Sequence, residues 1–258
     1  MSSLIWEICE PRGAPSGILA GFYSGHAKRL GASPEFKDHI VVDMIDKASS
    51  YYRTDKNGHF RDPRRYAEEL VAFALERGVP SNRVMTWGSS RGATMALSVG
   101  LAVGAKCIAA FAPQISAMAD ISFAVRQNLP RGVGRVWKQR EFYFAIHKSI
   151  KDGHMRQREV LPALMGLDLS CVVLGADPPF PNTFLFMSGH HEQDGYGLDQ
   201  FEAAASTRPI PLWIYRFAVP QHNVLAGHKD DYVPWIRSVW DGTPPKISGT
   251  EVITYHVN

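Results

Sequence analysis

Scarcity narrows this sequence before any motif does. Cysteine is rare: Cys9, Cys107 and Cys171 are the only three in 258 residues, odd in number and far apart. Their apolar settings, such as Lys106-Cys107-Ile108-Ala109-Ala110, lead to the expectation of reduced core thiols rather than a disulfide framework or a zinc site. No run of about 18 consecutive apolar residues occurs, so no transmembrane helix is expected. The first residues lack the basic start and apolar stretch of a secretory signal, and the cytoplasm is the expected compartment. Charge of one sign is also missing: Lys and Arg number 28 against 25 Asp and Glu, a net +3 too small for an extended nucleic-acid surface. One tract is locally basic, with Arg126, Arg131, Arg135, Lys138 and Arg140. It reads as a solvated face, with contact to an anionic substrate or polymer as the second option. Internal repeats and low-complexity linkers are absent. Gly132 and Gly134 have no third glycine and no strand before them, so no dinucleotide cofactor is expected.

What is present is a globular core. Hydrophobic residues make up 45% and charged residues 21%, ordinary for a soluble domain that buries its apolar side chains. Short β-branched or apolar runs alternate with helical patterns. Strands are expected at 16–23, 39–45, 83–87 and 108–112, with helices at 63–77 and 94–103. Pro63 at the first helix start and Gly78 past its end supply the usual punctuation. Such alternation predicts an α/β fold, a mostly parallel sheet with helices on both faces. From about 114 to 166 the rhythm is lost. This stretch, with Trp137, Phe142, Tyr143 and Phe144, reads as a helical insertion or cap over the carboxyl edge, the cap as a whole running to about 182. Sheet rhythm is expected again at 170–174, 183–187 and 212–217, then a helix at 232–240 and an edge strand at 251–257. One domain spanning 1–258 is the economical reading.

The sharpest feature is Gly88-Ser89-Ser90-Arg91-Gly92. A Gly-x-Ser-x-Gly match arises by chance in about one chain of this length in ten, so context must decide. Here an apolar strand (Val84 to Trp87) runs into it and a small-residue helix leaves it. That is the arrangement of a nucleophile elbow, in which a sharp turn exposes Ser90 and the residues two places away must lack side chains. The turn also aims the backbone N–H of Arg91 and the helix N-terminus at an oxyanion. The alternative is a strand–turn–helix link whose glycines only permit close packing.

A serine hydroxyl needs a base, and in such a fold the partners follow in the order serine, acid, histidine. His222, in Gln221-His222-Asn223-Val224-Leu225 after the strand at 212–217, is favoured over His228, whose surroundings Gly227-His228-Lys229-Asp230-Asp231 read as exposed. The acid is expected in Ser188-Gly189-His190-His191-Glu192-Gln193-Asp194-Gly195. Glu192 has a frequent spacing and Asp194 the commoner residue type; Asp194 is preferred, and Asp199 comes third. His190 and His191 beside two acids suggest a metal, but adjacent histidines on extended chain point apart and no zinc motif accompanies them, so none is expected. The second oxyanion donor belongs after an early strand, where Gly25 is placed, with Ser24 and His26 as substrate contacts. The His-Gly-Gly-Gly signature of many lipases is absent there.

The run from Arg83 to Ser116, together with Gly21-Phe22-Tyr23-Ser24-Gly25 and Gln221-His222-Asn223-Val224-Leu225, resembles a divergent group of α/β-hydrolases. That group includes bacterial capsule O-acetyltransferases and accessory secretion-system acyltransferases. The resemblance covers about 16–116 and 183–240. It implies acyl chemistry on sugars or glycoconjugates through a triad of Ser90, His222 and Asp194 or Glu192. The expected function is a serine-dependent esterase, or an O-acetyltransferase or deacetylase, working through an acyl-enzyme on an ester of a small molecule or carbohydrate. The rival from another class is a non-catalytic binding or assembly protein of polysaccharide biosynthesis that keeps the fold.

Overall fold

The computed structural model describes residues 5–24, 30, 33–46, 57–115, 144–160, 168–190, 195, 197–222, 224–228 and 231–257. In chain order the elements are β1 (Ile5–Cys9), β2 (Ile18–Ser24), β3 (Ile40–Asp46), α1 (Pro63–Glu76), β4 (Val84–Ser89), α2 (Arg91–Val103), β5 (Cys107–Phe111), α3 (Leu169–Leu174), β6 (Asn182–Ser188), α4 (Leu198–Thr207), β7 (Leu212–Phe217), α5 (Tyr232–Trp240) and β8 (Thr250–Tyr255). They form one eight-stranded sheet in the order β1-β3-β2-β4-β5-β6-β7-β8. The six inner strands are parallel, and β1 and β8 close the edges antiparallel to β3 and β7.

Alternate residues of the strands feed two cores. On one face Ile18, Ala20 and Phe22 of β2 and Val42 and Met44 of β3 pack with Leu70 of α1 and Val99 of α2. That core continues under α3 and α4 through Ile108, Leu185, Val173 and Phe201. The opposite face carries α5, whose Trp235, Ile236, Val239 and Trp240 lie on a sheet surface rich in aromatics. Phe111, Phe186 and Tyr215 are cross-strand neighbours stacked at 4.4 and 4.9 Å between ring centroids. Large rings fill this layer with area and offset stacking.

Local chemistry explains the helix ends. The Asp62 side chain accepts from the Arg64 N–H and Pro63 occupies the first turn, so α1 begins as its sequence indicates. At the end of α2, Gly104 adopts φ +63° and the Ala105 N–H returns to the Gly100 carbonyl, a left-handed cap.

Three expectations need correction. Residues 170–174 are not a strand: Asp168 caps a short helix there, accepting from Ser170 N–H and Cys171 N–H, and β6 starts only at Asn182. A short apolar run carries no period that separates helix from strand, and the capping side chain decided it. The strand β1 was not anticipated; five residues in Ile5–Cys9 are too few to show alternation, and pairing with β3 creates it. No disulfide joins the three cysteines, but only Cys107 is buried; Cys9 lies exposed on the edge strand and Cys171 is half-buried.

Candidate active site

The strand order reverses between β2 and β4. The chain leaves β2 toward β3 on one side and leaves β4 toward β5 on the other, so a crevice opens beyond their carboxyl ends. Open α/β sheets bind ligands at such a point. Ser90 stands at that point, between the end of β4 and the first turn of α2. Its backbone has φ 55° and ψ −122°, a conformation that costs an L-residue energy and persists only where the surroundings enforce it. The enforcing contacts are visible. Ser90 N–H donates to the Phe111 carbonyl at 2.8 Å, and its own carbonyl accepts from Ala93 N–H at 2.9 Å. A Cβ on Gly88 would lie 2.5 Å from the Gly92 carbonyl, and one on Gly92 would lie 2.0 Å from the Phe22 carbonyl oxygen. The two glycines thus allow strand, turn and helix to touch backbone to backbone.

Ser90 Oγ is 2.9 Å from His222 Nε2 across 132 positions of sequence. Both residues are half-buried. His222 follows β7 and leads into the short 3₁₀ turn Val224–Gly227, whose Val224 and Leu225 side chains are buried against the aromatic core. Val224 N–H bonds to the His222 carbonyl at 3.1 Å, which ties the histidine to that anchored turn. His228 is placed differently from its expected exposure. Its ring packs beside Phe217 and Trp235, and its Nδ1 lies 3.1 Å from Asp231 Oδ2.

The exits of β6 and β7 are stitched together. Gly189 N–H and Val219 N–H both reach the Phe217 carbonyl at 2.8 Å, and Ser188 Oγ donates to the Val219 carbonyl. The loop that carries the expected acids therefore starts beside the loop that carries His222. Glu192 and Asp194 themselves lie outside the described residues, as do His191, Gly25, His26, the basic tract Arg126–Arg140 and most of the expected insertion. Ser24 ends β2, opposite Asp46 in register. Arg91 is the first residue of α2, where a backbone N–H has no intrahelical acceptor. Asp199 lies in the first turn of α4. His190 donates its N–H to Ser188 Oγ at 3.3 Å. Among the described residues, no group of three or more His, Cys, Asp or Glu could hold a metal ion.

No family model matches the sequence, and no curated protein matches it either. Solved structures do. The capsule O-acetyltransferase of Neisseria meningitidis serogroup A superposes with a TM-score of 0.62 at 12% identity, over 92% of each chain. The chain has an α/β-hydrolase fold. An esterase from the hyperthermophilic archaeon Pyrobaculum calidifontis matches with a TM-score of 0.56 at 12% identity, over 93% of this chain and 81% of the esterase. An S-formylglutathione hydrolase from Agrobacterium tumefaciens matches at 0.56 and 15%, over 92% and 90%. The likeness is one of architecture, spread over almost the whole sheet, with little sequence in common.

Two residues of this α/β-hydrolase fold were not singled out from sequence. Thr94 Oγ1 donates to the Gln114 carbonyl and accepts from the Gln114 N–H, both at 3.0 Å, and so pins the segment after β5 to α2. Ser188 joins the exits of β6 and β7 as described above. The only signal for either was a hydroxyl next to a carboxyl edge, too common to use. A groove of about 900 Å³ between α1, α2 and α3 contains neither Ser90 nor His222. No helix among the described residues is long and apolar enough to cross a membrane.

Proposed function

We propose that the protein is a serine-dependent acyl-transfer enzyme acting on an ester of a sugar or glycoconjugate. The observation that carries this reading is the 2.9 Å separation of Ser90 Oγ and His222 Nε2 at an elbow of positive φ. His222 Nε2 takes the hydroxyl proton as Ser90 Oγ attacks the ester carbonyl, and the carbonyl oxygen becomes an oxyanion. The Arg91 N–H at the start of α2 and the backbone at Gly25 stabilise that charge, which develops only in the transition state. Collapse expels the alkoxide, which recovers the proton from His222 and leaves an acyl group on Ser90. An acceptor hydroxyl then gives its proton to His222 as its oxygen attacks the acyl carbon, and Ser90 Oγ departs, taking that proton back from His222. Asp194 or Glu192 holds the Nδ1–H side of the ring and favours its imidazolium form; the joined exits of β6 and β7 support an acid from that loop. Ser24 and His26 contact substrate. Water as acceptor gives an esterase or deacetylase, and a sugar hydroxyl gives an O-acyltransferase. The structural neighbours include enzymes with names of both kinds.

The test is labelling with a fluorophosphonate probe. Wild type is expected to react and Ser90→Ala to stay unlabelled with an unchanged circular dichroism spectrum. A folded wild type that remains unlabelled, beside a serine hydrolase that reacts, overturns the reading. A donor ester assayed with and without candidate sugars then separates transfer from hydrolysis.

A further inference from the structure

Both main-chain groups of Ser90 belong to one closed circuit of hydrogen bonds. Its N–H donates to the Phe111 carbonyl at 2.8 Å, at the end of β5. Its carbonyl accepts from Ala93 N–H at 2.9 Å and from Thr94 N–H at 3.2 Å, in the first turn of α2. Phe111 and Thr94 are joined in turn. Three positions beyond Phe111, the main chain of Gln114 both accepts from and donates to the Thr94 hydroxyl, each at 3.0 Å. The circuit runs from Ser90 to Phe111, along the chain to Gln114, across to Thr94 and back to Ser90.

The hop from Phe111 to Gln114 is itself constrained. Ala112 is almost fully buried and has φ 49°, a left-handed conformation that disfavours a residue with a Cβ. Its N–H donates to the Phe186 carbonyl at 2.7 Å. Pro113 has its φ fixed by its ring. Beyond them the Ile115 carbonyl accepts from Leu169 N–H at 2.9 Å, which ties the segment to α3. Two residues of positive φ that are not glycine, Ser90 and Ala112, therefore end neighbouring strands. The Thr94 hydroxyl is the side-chain link between the segment behind one and the helix behind the other. A hydroxyl has one donor and two acceptor lone pairs, and here both kinds are used at a buried site.

We infer, on the acyl-transfer reading, that Thr94 is a positioning residue for the reaction at Ser90. Its hydroxyl holds the first turn of α2 to the exit of β5. That hold sets the direction of Ser90 Oγ toward His222 and of the Arg91 N–H toward the oxyanion. Both directions count in the transition state more than in substrate binding, and a misplacement of about 1 Å costs about 10²-fold in rate. Ser98 supplies the contrast. Its hydroxyl donates to the Thr94 carbonyl at 3.0 Å and is as deeply buried on the same helix, but it lies outside the circuit.

The experiment is steady-state hydrolysis of a small activated ester by the full-length protein and its variants, with active sites counted by complete fluorophosphonate labelling. Thr94→Val keeps the side-chain shape and loses the hydroxyl. It is expected to lower kcat and kcat/KM together, by about 10²-fold per labelled site, with KM close to wild type. Thr94→Ser keeps the hydroxyl and is expected to hold kcat near wild type. Ser98→Ala is expected to keep kcat, whatever it costs in thermal melting. If the valine variant does not fold, Thr94→Cys carries the test, because a thiol is only a weak donor and acceptor. Its kcat should then lie about tenfold below that of Thr94→Ser. Unchanged kcat per labelled site in the variant that carries the test, or an equal fall in Ser98→Ala, overturns the inference and leaves the acyl-transfer reading standing. A folded wild type that neither labels nor turns over the ester overturns both.

Discussion

Gly92 lies directly against the carbonyl of Phe22, so that a Cβ at position 92 would sit 2.0 Å from that oxygen. The obstacle is backbone in a strand paired on both sides, and it cannot swing aside. Gly92→Ala must lift the start of α2 from the end of β2, which is also the rim of the crevice. A loss of about 3 kcal/mol in folding stability is expected, the upper part of the usual range for overpacking. Urea unfolding checks it, with Gly13→Ala as control, since nothing lies within 4 Å of a Cβ there. Equal midpoints for the two variants would remove the packing argument for the second glycine of the motif.

The Ser90–His222 pair makes a kinetic prediction. On a small activated ester, Ser90→Ala and His222→Ala should each lower kcat by about 10⁴-fold or more. The double variant should be no worse than the singles, because residues that act as one unit are not additive. His228→Ala should leave most of the activity, its Nδ1 being engaged by Asp231. A multiplicative loss in the double variant, or persistence of activity in His222→Ala, contradicts the assignment.

His39 makes the protein sensitive to acid. It is almost fully buried between Phe36 and Trp240, and neither ring nitrogen has a hydrogen-bond partner among the described residues. Burial, reinforced by the Arg237 charge, pushes it down from 6.5 to about 4. Between those values the unfolded chain binds a proton that the folded protein refuses. Stability is therefore intact above pH 6.5 and falls as pH drops through 6.5 toward 4, by on the order of 3 kcal/mol in total. His39→Phe keeps the aromatic contacts and should flatten this part of the profile. Melting temperatures of both proteins at pH 7 and pH 4.5 provide the check; parallel losses would place the acid sensitivity elsewhere.

Much of this was legible in the sequence because it is local. The elbow needs only a strand, two glycines two residues from a serine, and a helix, all within about twenty positions. Pro63 and Gly78 bracket α1 for reasons contained in their own backbones. The misreadings share the opposite character. Leu169–Leu174 became helix because of the Asp168 side chain one residue upstream, and β1 exists as a strand through its pairing with β3. His228 read as exposed from its charged neighbours Lys229 and Asp230, yet its ring is taken up by Phe217 and Trp235 from distant elements.

By itself the sequence determined the α/β alternation, the glycine-flanked turn at Ser90 and the order of candidate partners, since periodicity, glycine placement and turn chemistry act over a few residues. Only the tertiary structure decided that His222 stands at hydrogen-bond distance from Ser90, and that Gly92 closes on Phe22. These relationships join residues up to 132 positions apart. Sheet order and the direction of each crossover bring such residues together, and no local pattern encodes that distance.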